Sequence, residues 1–139
     1  MAIKKAGCIL IDVINKKIGL VYRKEQDDYS FAKGHIDNGE TLEECAVRET
    51  EEETGRKCRI VEPKNLPLVT YVNSTDGKVE VHNFIAIDEG ASSQVFAPEL
   101  VHELVWVSVE EAENILSYDN QKDLLRAVKS IINELFKLT

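Results

Sequence analysis

The stretch TLEECAVRETEEETG, residues 41–55, leaves this chain less conformational freedom than any other. Thr41 with Glu44 three positions later has the form of a capping box. Gly55 stands where a left-handed residue would stop a helix, so the spacing predicts a helix over residues 42–54. With Glu49 set at zero and about 100° per residue, Leu42, Cys45 and Ala46 fall near 20°, 320° and 60° and define a buried stripe. On the same wheel Glu52 falls near 300° and Glu53 near 40°, whereas Glu43, Glu44 and Glu51 fall at roughly 120°, 220° and 200°. The acids therefore form two populations. Glu43, Glu44 and Glu51 are expected on a solvated face. Glu49, Glu52 and Glu53 stand where an ordinary amphipathic helix would carry leucines.

Charge sharpens this contrast. Between Asp37 and Glu53 there are eight acidic residues and one arginine, a balance of −7 against −8 for the whole chain. Crowded, partly desolvated carboxylates must protonate, find cationic partners or coordinate metal. Arg48, four residues before Glu52, can neutralise only part of the cluster. Hard divalent cations, Mg²⁺ with Mn²⁺ as a substitute, are the remaining counter-charge, because their preferred ligands are oxygens.

Around this helix the chain reads as one α/β domain over residues 1–139. Residues 2–13 and 17–23 form an aliphatic hairpin around Asn15-Lys16-Lys17 and lead to Arg23, and the polar stretch EQDDYS is expected to be a loop. Residues 58–61, 68–72 and 78–87 read as strands, the last two joined by the turn at residues 74–77. The apolar run 100–107 is a further strand, and Ser108 can cap a short helix over 109–116. From Asp119 the tail repeats Leu124, Leu125, Val128, Ile131, Ile132 and Leu135 at helical spacing. A mixed sheet between helices follows.

A sequence pI near 4.9 argues against extended nucleic-acid binding, which needs a clustered basic face. It does not exclude a phosphorylated small molecule, since a bound cation reverses the local field. Three scattered cysteines, Cys8, Cys45 and Cys58, suit a reducing compartment. With no signal-peptide pattern and no membrane-length apolar run, the expected location is cytoplasmic.

These residues also carry a family resemblance. Gly34, Glu40, Arg48-Glu49, Glu52-Glu53 and Gly55 fall, over residues 34–55, in a spacing that resembles the Nudix box. That loop-helix-loop belongs to enzymes that hydrolyse nucleoside diphosphates linked to another moiety. Thr50 and Arg56 depart from the pattern, which prefers aliphatic residues there. The resemblance implies an α/β/α sandwich with a mixed sheet, metal held by Glu49, Glu52 and Glu53 with the Gly34 carbonyl as a further ligand, Arg48 orienting the glutamates, and Glu40 bracing the loop. It also implies a general base from a loop outside the box. Glu99 and Glu103 are the candidates, and Glu99 is preferred for its looser Ala97-Pro98-Glu99 setting. The opening Lys33-Gly34-His35 resembles that of diadenosine polyphosphate hydrolases, as do Tyr71 and the tail from Trp106. A small nucleotide polyphosphate is then the expected partner, with Lys33, Arg23 and Tyr71 as its contacts. The alternatives are a nucleoside triphosphate pyrophosphatase, an RNA 5′-pyrophosphohydrolase or a non-catalytic nucleotide sensor. His82 and His102 lack zinc-site spacing, and His35 reads as loop packing.

Overall fold

The computed structural model describes residues 2–138, and two long strands organise it. β1 (Ile3–Asp12) and β7 (Gly77–Ala91) pair in parallel from Ile3 opposite Val79 to Ile11 opposite Ile87. Both are long enough to take different neighbours at their two ends. At one end β4 (Ala32–His35) pairs with β1 and β6 (Val69–Asn73) pairs with β7, both antiparallel. At the other end β2 (Lys17–Arg23) continues from β1, and β5 (Arg56–Ile60) lies along β7. β2 also carries β3 (Asp28–Ser30) and β8 (Glu103–Val107).

Helices cover both faces of this mixed sheet. α1 (Leu42–Thr54) buries Cys45 and Ala46 against Ala6, Cys8, Leu10, Phe84 and Ala86. On the other face α2 (Val109–Ile115) and α3 (Asp119–Lys137) bury Leu124, Leu125, Val128 and Ile132 against Ile9, Ile11, Leu20 and Ile85. Burial of such side chains stabilises a fold by about 1.5–3 kcal/mol each, so two apolar layers of this size hold the sheet between them. Both capping boxes are formed, Thr41 with Glu44 and Ser108 with Glu111, and Gly55 adopts φ 71°.

Two expectations change. The stretch EQDDYS is not all loop, because Asp28–Ser30 pairs with β2 and is followed at once by β4. The strand expected from residue 100 begins at Glu103, after a 3₁₀ turn over Pro98–Leu100. Neither of the departures from the box pattern is left unpaired. The buried Thr50 hydroxyl donates to the Ala46 carbonyl at 2.8 Å, and Arg56 forks onto Asp88 at 2.8 and 2.6 Å. Among the described residues no helix is long and apolar enough to cross a membrane.

Candidate active site

Gly34 sits in β4 opposite Ala6, facing α1. A Cβ built there would lie 2.1 Å from the Glu49 carboxylate carbon, so the space a side chain would fill is occupied by that carboxylate. One turn on, Glu53 reaches the same strand and accepts the Lys33 backbone N–H at 3.1 Å. Gly34, Glu49 and Glu53 line a cavity of about 320 Å³. Burial pushes the Glu53 carboxyl up to about 8, with the Glu49 charge adding to it and the Lys33 N–H opposing. Glu49 is raised for the same main reason, against the pull of Arg48.

Arg48 gathers the acids on the other flank. Its Nε and Nη2 fork onto Glu40 at 2.6 and 3.0 Å, its Nη1 lies 3.2 Å from both Glu49 and Glu52, and Nη2 donates to the His35 carbonyl at 3.0 Å. Glu40 in turn accepts the Asp37 N–H at 2.8 Å, so it ties loop to helix. Glu52 is drawn to Arg48 at the rim of an open groove rather than into the Glu49–Glu53 cavity. Its position at the edge of the stripe, within i,i+4 reach of an arginine, accounts for this. Among the described residues no three acidic, His or Cys side chains are preassembled around one point. The donor set nevertheless fits a hard divalent cation: every side-chain ligand is a carboxylate, two of them crowded and half-buried. The nearby Gly34 carbonyl accepts a weak thiol donor, Cys45 Sγ, at 3.6 Å, and a carbonyl oxygen is among the ligands such a cation prefers.

The carboxylate cavity opens into a second one of about 420 Å³, since Lys5, Arg23, Ser30, Phe31 and Lys33 line both. Arg23 is held by Asp28 at 2.8 and 2.5 Å and by the Tyr118 hydroxyl at 3.1 Å, and Asp28 raises the guanidinium pKa. Lys33 Nζ stands 5.7 Å from the Tyr71 ring centroid. Tyr71 lines the second cavity with three amides that sequence reasoning missed, Asn83, Asn120 and Gln121. Gln121 Oε1 accepts the Phe31 N–H at 3.1 Å, while the buried Asn120 Oδ1 has no hydrogen-bond partner. Gly7 permits this wall. A Cβ there would meet the Ala32 carbonyl oxygen at 1.9 Å and Lys33 Cβ at 2.7 Å. Nothing in local sequence marks the amides, which come together only when β7 and α3 pack.

Glu99 lies in the exposed 3₁₀ turn and lines neither cavity. Its loop is fastened at both ends to the C-terminal turn of α1. Ser92 N–H donates to the Gly55 carbonyl at 2.8 Å, and His102 N–H donates to that of Glu53 at 2.9 Å. Ser92 Oγ also donates to Glu51 at 2.5 Å, so Glu51 is only half exposed, not free on a solvated face. Glu103 is exposed on β8 opposite Tyr22. His35 pairs with Asp76 at 3.2 Å.

Residues 3–128 match the model of the NUDIX domain family. The chain is 32% identical over 141 residues to a protein of Mycobacterium tuberculosis given the mutator name MutT4, covering 94% of this chain and 56% of that one. It is 36% identical over 115 residues to the 8-oxo-(d)GTP phosphatase of Mycolicibacterium smegmatis, covering 81% and 34%. The chain thus spans about half and a third of these relatives' lengths. Among solved structures it resembles the C. elegans Ap4A hydrolase, with a TM-score of 0.73, 23% identity, and coverage of 95% of this chain and 99% of that one. At that identity the likeness establishes the fold.

Proposed function

The chain belongs to the Nudix family, and on that premise we propose that it hydrolyses phosphoanhydride bonds in nucleotides with Mg²⁺, dinucleoside polyphosphates such as diadenosine tetraphosphate first among them. The observation that supports this most is the continuous cleft. Carboxylates Glu49 and Glu53 stand at one end, amides at the other, and Lys5, Arg23 and Lys33 lie along the passage between. In this reading Glu49, Glu52, Glu53 and the Gly34 carbonyl hold the cation, Mg²⁺ or, as a substitute, Mn²⁺. When bound it supplies charge neutralisation and an acidified water. Arg48 orients Glu49 and Glu52, Arg23 and Lys33 meet phosphate oxygens, and Tyr71 borders the base. Glu99 serves as general base by movement of its loop. The free, buried thiols Cys8, Cys45 and Cys58 accord with a reducing, cytoplasmic setting.

A nucleoside triphosphate with a modified base is the second reading. Asn120 favours it, because its unpartnered Oδ1 in the amide cavity calls for a donor on the base edge. Product analysis in magnesium separates the two. Diadenosine tetraphosphate is expected to give ATP and AMP with a higher kcat/KM than ATP or 8-oxo-dGTP, and Glu52→Gln and Glu53→Gln each to lower turnover by about two orders of magnitude or more. Faster cleavage of 8-oxo-dGTP establishes the second reading. Wild-type turnover in either variant overturns the ligand assignment.

A further inference from the structure

Lys5 is the least conspicuous cation of the cleft, and its side chain is 12% exposed against 33% for Arg23. It lies in β1 opposite His35 of β4 and Val81 of β7, and it lines both cavities. Its Nζ donates to the Tyr71 hydroxyl at 3.1 Å and lies 3.4 Å from an Asp76 carboxylate oxygen. An ammonium has three N–H groups, so at least one is left for a ligand. Burying a lysine head costs desolvation that a lone pairing rarely offsets, and a cavity floor is a costly place for one with no anionic ligand to meet.

The Asp76 side is built to hold that lysine still. Asp76 sits in the β6–β7 turn, where its N–H donates to Asn73 Oδ1 at 2.6 Å. Its carboxylate is shared between His35 at 3.2 Å and Lys5, which ties the turn both to β1 and to the end of β4. His35 first, and Lys5 after it, hold this carboxyl below its usual range, so Asp76 is a fixed negative charge.

Resting on the nucleotide reading above, we propose that Lys5 is a polyphosphate-binding residue and that Asp76 and Tyr71 position it. A phosphate chain that leaves the carboxylate cavity meets Lys33, Arg23 and Lys5 in the second cavity, whose other lining residues are neutral. Arg23 already spends part of its fork on Asp28, so Lys5 supplies charge that the other two cations do not. The number of phosphates beyond the metal-bound group then sets how much the enzyme gains from Lys5.

The test uses the full chain with magnesium, kinetics on diadenosine tetraphosphate and ATP, and calorimetric binding of inorganic tripolyphosphate. Lys5→Met keeps the aliphatic stem. It is expected to raise KM for diadenosine tetraphosphate about tenfold, more than for ATP and more than it changes kcat, and to weaken tripolyphosphate by a similar factor. Lys5→Arg is expected to restore most of both losses. Asp76→Asn should raise the same KM by a smaller factor and provides a second variant should Lys5→Met fold poorly. A folded Lys5→Met protein with wild-type tripolyphosphate affinity and KM would reduce Lys5 to a structural ion pair and overturn the proposal, as would wild-type tripolyphosphate affinity in Asp76→Asn. Tripolyphosphate binding requires neither a base nor hydrolysis. Failure to cleave any nucleotide therefore sinks the functional reading while the Lys5 comparison still decides its own question.

Discussion

Gly34 shows how one residue can carry a site without contributing a side chain. Its missing Cβ is the seat of the Glu49 carboxylate, so Gly34→Ala is expected to lower kcat by about a hundredfold while moving the melting temperature only a few degrees. A variant retaining most of its turnover would show that Glu49 need not sit there. At this scale the sequence was partly legible. A helical wheel alone placed Glu49, Glu52 and Glu53 inward, and for Glu49 and Glu53 the cavity bears this out, because burial follows angle around the axis once caps fix the ends. Glu52 was harder, since its fate depended on competition between a cavity and Arg48 that no angle reveals. Lys5 was invisible: in sequence it belongs to a basic N-terminal run, and only the register of β1 against β4 and β7 makes it a cleft residue.

Among the elements, α1 has a start that is fixed locally by its capping box. Thr41 Oγ1 accepts the Glu44 N–H at 3.1 Å and Glu44 accepts the Thr41 N–H at 2.9 Å, so Thr41→Ala should cost about 1 kcal/mol in urea denaturation with an unchanged m-value. A loss under a few tenths would mean that packing alone fixes the start of the helix. The helices were readable because capping and 3.6-residue periodicity are local signals. Strands β3 and β4 were not, since short polar segments become strands only through the partners β2 and β1 offer them. For the same reason β7 runs past its apolar stretch to Ala91, where β5 pairs with its far end.

At the scale of the whole molecule, folding without metal traps acid against acid. The Glu53 carboxyl titrates at about 8 in the folded chain and at about 4.3 when unfolded. The folded state thus holds a proton that the unfolded state has released, so the associated stability is full below the unfolded value and is lost as pH rises through 8. The melting temperature of the metal-free protein is expected to fall between about pH 5 and about pH 8.5 through this group, and Glu53→Gln should flatten that slope. Magnesium should raise the melting temperature, most strongly at the alkaline end where the proton is already gone, and should do nothing for the triple Gln variant of Glu49, Glu52 and Glu53. An undiminished magnesium response in that variant would put the principal cation site elsewhere. The last turn of α1 adds a consequence in time. The carbonyls of Glu53 and Gly55 are satisfied by His102 and Ser92, residues made only after β7. During synthesis the acidic helix can therefore begin early at Thr41, but its working end stays unfinished until the chain has grown past residue 102 and folded back. A nascent chain stopped short of that point would carry the whole Nudix signature with its last turn unsecured.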